Sequence, residues 1–346
     1  MPRYDHGGDV YQNRNVILDF SVNINPLGMP GEAKRALVHG MERFSCYPDP
    51  RCGALTRAIA KAHGVLPENI LCGNGAADLL FRVSAYKRAR RALTLAPTFS
   101  EYERPMVLFG GEMTEYPLEE EKNFALDEGF LSALTKDTDM VFLCNPNNPT
   151  GRLAQPEFIE KIAAAAKKIG ALLVVDECFL PFSGGASMLP YLSEYSNMLI
   201  LRAFTKLYAM AGLRLGYLLC ADGGLLKTLG EYGAQWSVSV PAQLAGLASL
   251  EAEPEWTMRT RAFVDSERRY MEGELAGLGL RVFPSDANFL LIKSGLPLYQ
   301  PLLKAGILVR DCANFTGLDA RFIRIGIKTG KENEALLRAM GGILHG

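Results

Sequence analysis

The sequence predicts an α/β fold with a large domain on a mostly parallel sheet and a smaller α+β domain. The first observation is that short apolar runs, typical of strands buried on both faces, alternate with segments of helical spacing. The second is a change of texture after residue 240, where a long amphipathic segment precedes several shorter elements. The third is length, because 346 residues, 48% of them hydrophobic, suffice for two such units. We expect the large domain to span residues 40–240 and the smaller one to combine 1–39 with 241–346.

The individual elements follow from apolar spacing and from the turn residues between runs. A short apolar run at 16–21 is closed by a turn-rich segment that ends at Gly28. Helices are expected over 31–41, 53–63, 76–85 and 156–169, and strands over 69–72, 92–96, 140–145, 171–177, 198–203 and 214–220. In the smaller domain, a helical segment is expected over 255–278, shorter elements over 288–293, 298–305, 307–310 and 321–328, and a last helix from residue 332.

Composition argues against several classes of protein. The formal net charge is −1, without the basic surplus of a general nucleic-acid binder. The start is polar and no apolar run reaches membrane-spanning length, so we expect a cytoplasmic protein with neither a nucleic-acid nor a membrane partner. Seven cysteines are scattered without CxxC spacing, which predicts neither a metal site nor a disulfide framework.

The first candidate for chemistry is Lys206, which follows the predicted strand at 198–203. In a parallel sheet, ligands gather at the carboxyl ends of the strands, where this lysine is expected. Burial disfavours a charged lysine, so this place suits a neutral amine or an imine, as in a Schiff base with pyridoxal phosphate. A solvated loop lysine is the alternative that this residue alone leaves open.

The second candidate is Asp176, which ends the apolar run of residues 172–175. A carboxylate that closes a buried strand needs a partner. A protonated pyridine nitrogen would be such a partner, and the carboxylate would keep the cofactor an electron sink. A helix cap or a salt bridge is the other interpretation of an isolated aspartate here.

Two turns at strand ends complete the pattern. Gly73-Asn74-Gly75 follows one strand and opens a helix, so its backbone N–H groups can approach a phosphate, which Arg214 could also reach. An ordinary strand-to-helix turn is the alternative. The second turn, at 145–151, is rich in Asn and Pro, and a cis bond between Asn148 and Pro149 would suit it.

Six motifs occur in one order and spacing: GNG at 73–75, PTFSEY at 97–102, NPNNPTG at 145–151, VVDECF at 174–179, FTK at 204–206 and GLRLGY at 212–217. Taken together, they resemble those of fold type I pyridoxal-phosphate enzymes, in the histidinol-phosphate aminotransferase-like branch. The resemblance extends over nearly the whole chain. It implies the transferase-like fold of that group and pyridoxal 5'-phosphate as the cofactor.

The resemblance also implies a role for each matching residue. Lys206 would carry the cofactor as an imine, and Asp176 would pair with the pyridine nitrogen, so that these two are the catalytic residues. Asn148 would hydrogen-bond the ring hydroxyl, and Tyr102 would stack on the ring. The residues expected around the cofactor phosphate are Gly75, Ala76, Ala77, Thr205 and Arg214.

Further matches concern the substrate and the assembly. Tyr47 is similar to the tyrosine that reaches the phosphate in the partner subunit, which implies a homodimer with active sites shared between subunits. Arg324 is similar to the arginine that binds the substrate carboxylate. The other residues expected to bind substrate are His6, Gly7, Asn23 and Asn148.

Three stretches outside the cofactor core resemble one group of this branch, the threonine-phosphate decarboxylases. These stretches are 6–9, 19–30 and 310–319. They imply a small phosphorylated amino acid as substrate and conversion of L-threonine O-3-phosphate to (R)-1-aminopropan-2-yl phosphate for cobalamin biosynthesis. Phe179, where many aminotransferases have tyrosine, favours the same function. Ala203 lacks a hydroxyl that relatives often have near the phosphate, and Lys328 stands where the decarboxylase can have arginine.

Two other functions use the same cofactor residues. An aminotransferase for histidinol phosphate would employ Lys206 as the base at the Cα–H bond, so the cofactor motifs do not separate it from the decarboxylase. A cofactor-binding regulator without turnover is disfavoured, because the sequence shows no extra DNA-binding segment or basic tail and retains Lys206, Asp176 and Asn148. The stretches near the expected substrate position are therefore the ones that discriminate.

Overall fold

The computed structural model describes residues 6–345. The helices are α1 (Gly31–His39), α2 (Gly53–His63), α3 (Gly75–Lys87), α4 (Glu103–Leu108), α5 (Gly129–Ala133), α6 (Pro156–Ile169), α7 (Phe204–Leu207), α8 (Gly223–Glu231), α9 (Val240–Glu251), α10 (Glu255–Gly277), α11 (Tyr299–Lys304) and α12 (Gly330–His345). The strands are β1 (Leu18–Asp19), β2 (Ile70–Gly73), β3 (Arg91–Ala96), β4 (Glu112–Pro117), β5 (Met140–Cys144), β6 (Leu172–Asp176), β7 (Met198–Ala203), β8 (Gly216–Leu219), β9 (Arg281–Val282), β10 (Phe289–Lys293), β11 (Ile307–Leu308), β12 (Arg310–Asp311) and β13 (Phe322–Gly326). Over this range, every helix is too short or too polar to cross a membrane.

A seven-stranded sheet in the order β2-β8-β7-β6-β5-β3-β4 forms the centre of the large domain. All of its strands run in one direction except β8, which is antiparallel to both of its neighbours. Strands β5 and β6 are buried along their whole length, because helices cover both faces of a parallel sheet. The predicted α/β class and mostly parallel sheet are therefore confirmed.

Helix α6 illustrates how the sequence covers a face of the sheet. Pro156 occupies the first turn, where a missing N–H is harmless, and Gly170 ends the helix with a φ of 75°. Between these ends, four side chains at helical spacing are buried in the core: Ile159, Ile162, Ala163 and Ala166.

The smaller unit has an antiparallel sheet in the order β12-β13-β10-β9. Helices α10 and α12 contribute apolar side chains to its core, which also contains Phe20 from the N-terminal arm. The arm, residues 6–28, joins this unit through a two-stranded parallel pairing of β1 with β11. Helices α1 and α9 pack against each other, and α9 also packs against α2. The exact domain boundaries at 39/40 and 240/241 stay a prediction.

The structure corrects one predicted strand and divides one predicted short element in two. Strand β8 begins at Gly216, so Arg214 lies before the strand in a turn with a φ of 60° instead of at the strand's head. The run at 307–310 is two strands, because β11 pairs with the arm whereas β12 pairs with β13. Strand β4 was missed because it forms the exposed sheet edge and alternates partly buried with exposed positions.

A buried ion pair fastens the strand ends behind the candidate site. Arg202 Nε and Nη2 donate to Glu177 Oε2 at 3.0 and 2.8 Å, and Glu177 is almost fully buried. Ser187 also donates to this carboxylate. Because Glu177 directly follows Asp176, the pair holds the end of β6 against β7.

We expect Arg202→Met to lower the free energy of unfolding by about 3 kcal/mol, since it leaves a buried carboxylate without its cation. Urea denaturation at fixed protein concentration measures this change. Lys161→Met is the matched control, because Lys161 pairs with Glu128 on the surface, where the loss should be at most about 1 kcal/mol. Equal losses of unfolding free energy in the two variants would contradict a special stabilising role for the buried pair of Arg202 and Glu177.

Candidate active site

The carboxyl ends of β5, β6 and β7 meet at one edge of the central sheet. Cys144 at the end of β5 is the register partner of Asp176 at the end of β6. Lys206 follows β7 in the short helix α7. The topology therefore brings the predicted lysine, the predicted aspartate and the Asn/Pro-rich turn together, as the sequence analysis expected.

Lys206 occupies an environment that favours its neutral form. Burial lowers the pKa of its ammonium group to about 8, and the nearby Arg324 and Arg214 guanidinium groups act in the same direction. Its Nζ lies 5.7 Å from the centre of the Phe179 ring. An amine with this pKa is neutral in an appreciable fraction of molecules near pH 7, which a nucleophilic or proton-transferring lysine requires.

Asp176 is a buried carboxyl group whose hydrogen bonds come from neutral donors. The Tyr102 hydroxyl donates to Oδ2 at 2.8 Å, and the Cys178 N–H donates to Oδ1 at 2.9 Å. Burial raises the pKa of Asp176 above the usual carboxyl range. A cationic N–H donor placed beside this group would restore its charged form, as a pyridinium nitrogen does.

Tyr102 has a contact that the sequence analysis did not assign. Its ring stacks on Phe142 at 5.3 Å, with an angle of 10° between the planes, and meets the edge of Phe99 at 5.6 Å. The residue is 1% exposed, so neither face of its ring is accessible in this structure. Stacking of Tyr102 on a cofactor stays a prediction, while its hydrogen bond to Asp176 is a new feature.

The turn after β2 and the Arg214 side chain form a cradle at the start of α3. Gly75 has a φ of 81°, which other residues rarely adopt, and it lies against Arg214, whose Nη2 would be 2.7 Å from a Cβ at this position. The first backbone N–H groups of α3, including those of Ala76 and Ala77, have no partner within the helix. This end of α3, with the guanidinium and the buried Thr205 beside Lys206, suits a phosphate.

The Asn/Pro-rich turn is held by its own side chains. Asn147 Nδ2 donates to the Pro97 carbonyl at 2.9 Å and to Thr150 at 3.0 Å, and Thr98 donates to Asn147 Oδ1 at 2.7 Å. The peptide bond between Asn148 and Pro149 is cis, as predicted. These hydrogen bonds fix the backbone of the turn and thereby the position of Asn148.

Arg324 connects this turn to the N-terminal arm. Its Nη1 donates to Asn148 Oδ1, and its Nη2 donates to the Ser21 carbonyl at 2.8 Å. Burial lowers the pKa of this guanidinium to about 10, and the charge of Arg310 adds to the effect. On the same arm, Asn23 Oδ1 is buried and accepts no hydrogen bond from any described residue. Arg324 and Asn148 are thus joined directly, and Asn23 Oδ1 is a buried acceptor that a ligand could use.

Arg310 is the functional candidate that the sequence analysis missed. It is the register partner of Arg324 on the neighbouring strand, and the two are 8% and 6% exposed. Residues directly opposite in an antiparallel pair project on the same face, where two like charges destabilise the sheet. Arg310 also lines a cleft of about 430 Å³ together with His6, Gly7 and Asn314. The only sequence signal was an arginine within a segment already singled out, at 310–319.

Two further residues singled out in the sequence have other surroundings. Tyr47 is 82% exposed, and its ring lies 4.9 Å from that of Trp236. Lys328 is partly buried, which lowers the pKa of its ammonium group, while Asp19 opposes that shift. That Tyr47 reaches into a partner's site stays a prediction.

These residues fit pyridoxal 5'-phosphate. Lys206 would hold its aldehyde carbon, Asp176 its ring nitrogen, Asn148 its ring hydroxyl, and the cradle of Gly75 and Arg214 its phosphate. When bound, the cofactor supplies an electron sink for the pair of electrons left at a substrate Cα after a bond breaks. The rest of the site is the chain's own contribution.

Comparison with known proteins agrees with this geometry. The family model of aminotransferase class I and II matches residues 15–340. The threonine-phosphate decarboxylase of Salmonella typhimurium is 37% identical over 353 residues, covering 99% of this chain and 97% of that protein. The chain belongs to the aminotransferase class I and II family, and this membership confirms the predicted fold and the predicted cofactor, pyridoxal 5'-phosphate.

Two solved structures share the fold over nearly their whole length. The histidinol-phosphate aminotransferase of Clostridium acetobutylicum has a TM-score of 0.87 and 31% identity, covering 95% of this chain and 99% of that one. The L-threonine-O-3-phosphate decarboxylase of Porphyromonas gingivalis has a TM-score of 0.85 and 26% identity, covering 95% of this chain and 100% of that one. Overall shape therefore does not separate the two activities.

We expect the cofactor-free protein to capture pyridoxal phosphate faster as pH rises toward about 8, and at a constant rate above it. The neutral amine is the nucleophile, and the pKa of Lys206 is lowered to about 8, so its neutral fraction increases through that pH. Borohydride fixation followed by absorbance measures the covalent product. Lys206→Ala is the control and should lose the fixed product. A rate that still rises above about pH 10, the range of an ordinary lysine, would refute the shift.

Proposed function

We propose that this chain is a pyridoxal-phosphate-dependent lyase that decarboxylates L-threonine O-3-phosphate to (R)-1-aminopropan-2-yl phosphate. The reaction places it in cobalamin biosynthesis, as its sequence resemblance implies. The similarity to the decarboxylase of Salmonella typhimurium, which extends over 99% of the chain, supports this proposal. The observation that carries it is the pair of neighbouring, buried arginines, Arg310 and Arg324.

Two buried guanidinium groups on one face of a sheet favour a substrate with two anionic ends. The two groups carry like charge and lie directly opposite each other, so anions bound between or beside them would offset their mutual repulsion. Threonine phosphate carries both a carboxylate and a phosphate. Arginine is well suited to both groups, because its planar fork donates two hydrogen bonds at once.

The two ends would be divided between the two arginines. Arg324, beside Asn148 and closer to Lys206, would take the carboxylate. Arg310, with His6 across the 430 Å³ cleft, would take the phosphate. Fixing both ends sets the torsion about Cα and so selects which bond of Cα breaks.

Lys206 would return a proton to Cα after carbon dioxide leaves. With a pKa of about 8, most of its free amine carries a proton at neutral pH and can release it readily. Phe179 beside Nζ is apolar, and so it limits competing proton donors around this position. Lys206 thus combines cofactor attachment with proton delivery at one atom.

Transamination of histidinol phosphate is the second candidate. It is supported by the similarity to the histidinol-phosphate aminotransferase of Clostridium acetobutylicum. That substrate carries a phosphate but no carboxylate, so Arg324 would lose the hydrogen bonds that the carboxylate of threonine phosphate would accept. Such a loss costs about 1–3 kcal/mol, which favours the decarboxylase.

The proposal includes a homodimer with shared sites in a reduced cytoplasm. Tyr47 and Trp236 form an exposed aromatic pair, a type of side chain enriched in protein interfaces. Tyr47 of one subunit would reach the cofactor phosphate of the other. All seven cysteines are free thiols, and six of them are buried, as suits a reducing compartment.

The holoenzyme should release carbon dioxide from L-threonine O-3-phosphate without forming a keto acid. With histidinol phosphate and 2-oxoglutarate it should form negligible glutamate, because the carboxylate subsite is not satisfied. Separate assays of carbon dioxide and of glutamate measure the two reactions. Steady glutamate formation without carbon dioxide would make the aminotransferase the correct function.

Variants of Tyr47 and Lys206 should complement each other. Tyr47→Ala and Lys206→Ala homodimers should each have little activity, but a mixed dimer contains one site with both residues intact. Activity after subunit exchange measures this recovery. If exchange is demonstrated by mass and no activity returns, the shared site is wrong.

A further inference from the structure

A contact between the N-terminal arm and the large domain lies beside the substrate cleft and has no role in the scheme above. His6 Nε2 lies 2.8 Å from Glu101 Oε1, across 95 residues of sequence. The Glu101 side chain is 14% exposed, and the residue directly precedes Tyr102. The His6 ring also lies 6.2 Å from Phe99, which meets the edge of Tyr102. The pair thus joins the arm to the segment that supports Asp176.

The arm is also anchored just after His6, where Gly7 and Gly8 contact Ser21. Gly8 N–H donates to Ser21 Oγ at 2.7 Å, and Ser21 in turn accepts from Arg324 through its carbonyl. A Cβ at Gly7 would lie 2.2 Å from the Ser21 carbonyl oxygen, so residue 7 lies directly against it. These contacts determine the path of the arm but not the direction of the His6 ring. Glu101 supplies the contact that does.

The electrostatics of the pair suit an anionic ligand. Its hydrogen bond with His6 is the main reason that the pKa of Glu101 lies below the usual range, so Glu101 is a carboxylate at neutral pH. The Arg104 guanidinium lies 3.9 Å from the other oxygen and is largely exposed. With Nε2–H donating to Glu101, the ring can donate Nδ1–H to an anionic group in the cleft when both of its nitrogens carry protons. His6, Arg310 and Asn314 line that cleft together.

We propose that Glu101 is a positioning residue for substrate phosphate. It acts through His6, which it holds at the mouth of the cleft with Nδ1 available to a phosphate oxygen. The inference rests on the proposed function and adds to it a determinant of specificity for phosphorylated substrates. Glu101 acts on binding and not on the chemistry at Cα, which occurs at Lys206.

Glu101→Gln should raise the KM for L-threonine O-3-phosphate about tenfold, the loss of one charge-assisted contact. The kcat and the cofactor absorbance should stay within about twofold, because Lys206 and Asp176 are untouched. Inhibition by inorganic phosphate should weaken by a similar factor. Glu103→Gln is the matched control, since it removes the same charge from an exposed position two residues on, and it should change neither constant.

A double-mutant cycle tests whether Glu101 acts through His6. His6→Ala should raise the KM about as much as Glu101→Gln, and the double variant should be no worse than His6→Ala alone. Additive effects, an unchanged KM, or a fall in kcat with constant KM would overturn the inference. If Glu101→Gln fails to fold, an unchanged KM in His6→Ala, whose change lies on the exposed arm, overturns it equally.

The two proposals fail separately. If the wild-type holoenzyme releases no carbon dioxide from L-threonine O-3-phosphate, the proposed function is wrong. If it does, but Glu101→Gln behaves like Glu103→Gln, only the role of Glu101 is wrong. Binding of inorganic phosphate to the wild-type holoenzyme and to Glu101→Gln, measured by calorimetry, gives a readout that does not depend on turnover.

Discussion

The gathering of positive charge on buried and half-buried side chains is the constraint on which the rest of this site depends. Lys206, Arg324 and Arg310 are buried or partly buried close together, and their charges disfavour one another. Burial disfavours the charged forms of Lys206 and Arg324. The pKa of Lys206 falls to about 8 for this reason. In the proposed function, the same charge favours a substrate with several negative groups.

Because these like charges repel one another, rigid elements must hold them in place. The apolar strands β5, β6 and β7 supply one, since both of their faces are packed and their carboxyl ends cannot separate. The N-terminal arm supplies a second support. Asn25 Nδ2 donates to the Leu207 carbonyl at 2.7 Å, next to Lys206, and Ser21 accepts from Arg324. Three distant stretches of chain therefore converge on one lysine.

The site has two halves with different consequences for function. The cofactor half, with Lys206 and Asp176, is what the two candidate activities have in common, and the close likeness of this chain to solved structures of both kinds reflects that. The proposed substrate half comes from the arm and from the sheet of the smaller unit, where Arg310 and Arg324 lie. In the proposed function, this half decides whether the bond from Cα to the carboxylate or the bond from Cα to hydrogen breaks. The short arm would then be central to specificity.

The sequence by itself determined the cofactor half, because each part of it is encoded locally. An apolar run ending in Asp176, a lysine after the next run and a glycine turn before a helix are patterns within a few residues, and the strand order of a parallel sheet then brings them together. Tertiary structure decided what depends on distant pairing. The register that sets Arg310 opposite Arg324, and the contact of His6 with Glu101 across 95 residues, arise from packing between units and leave no periodic signal in either segment.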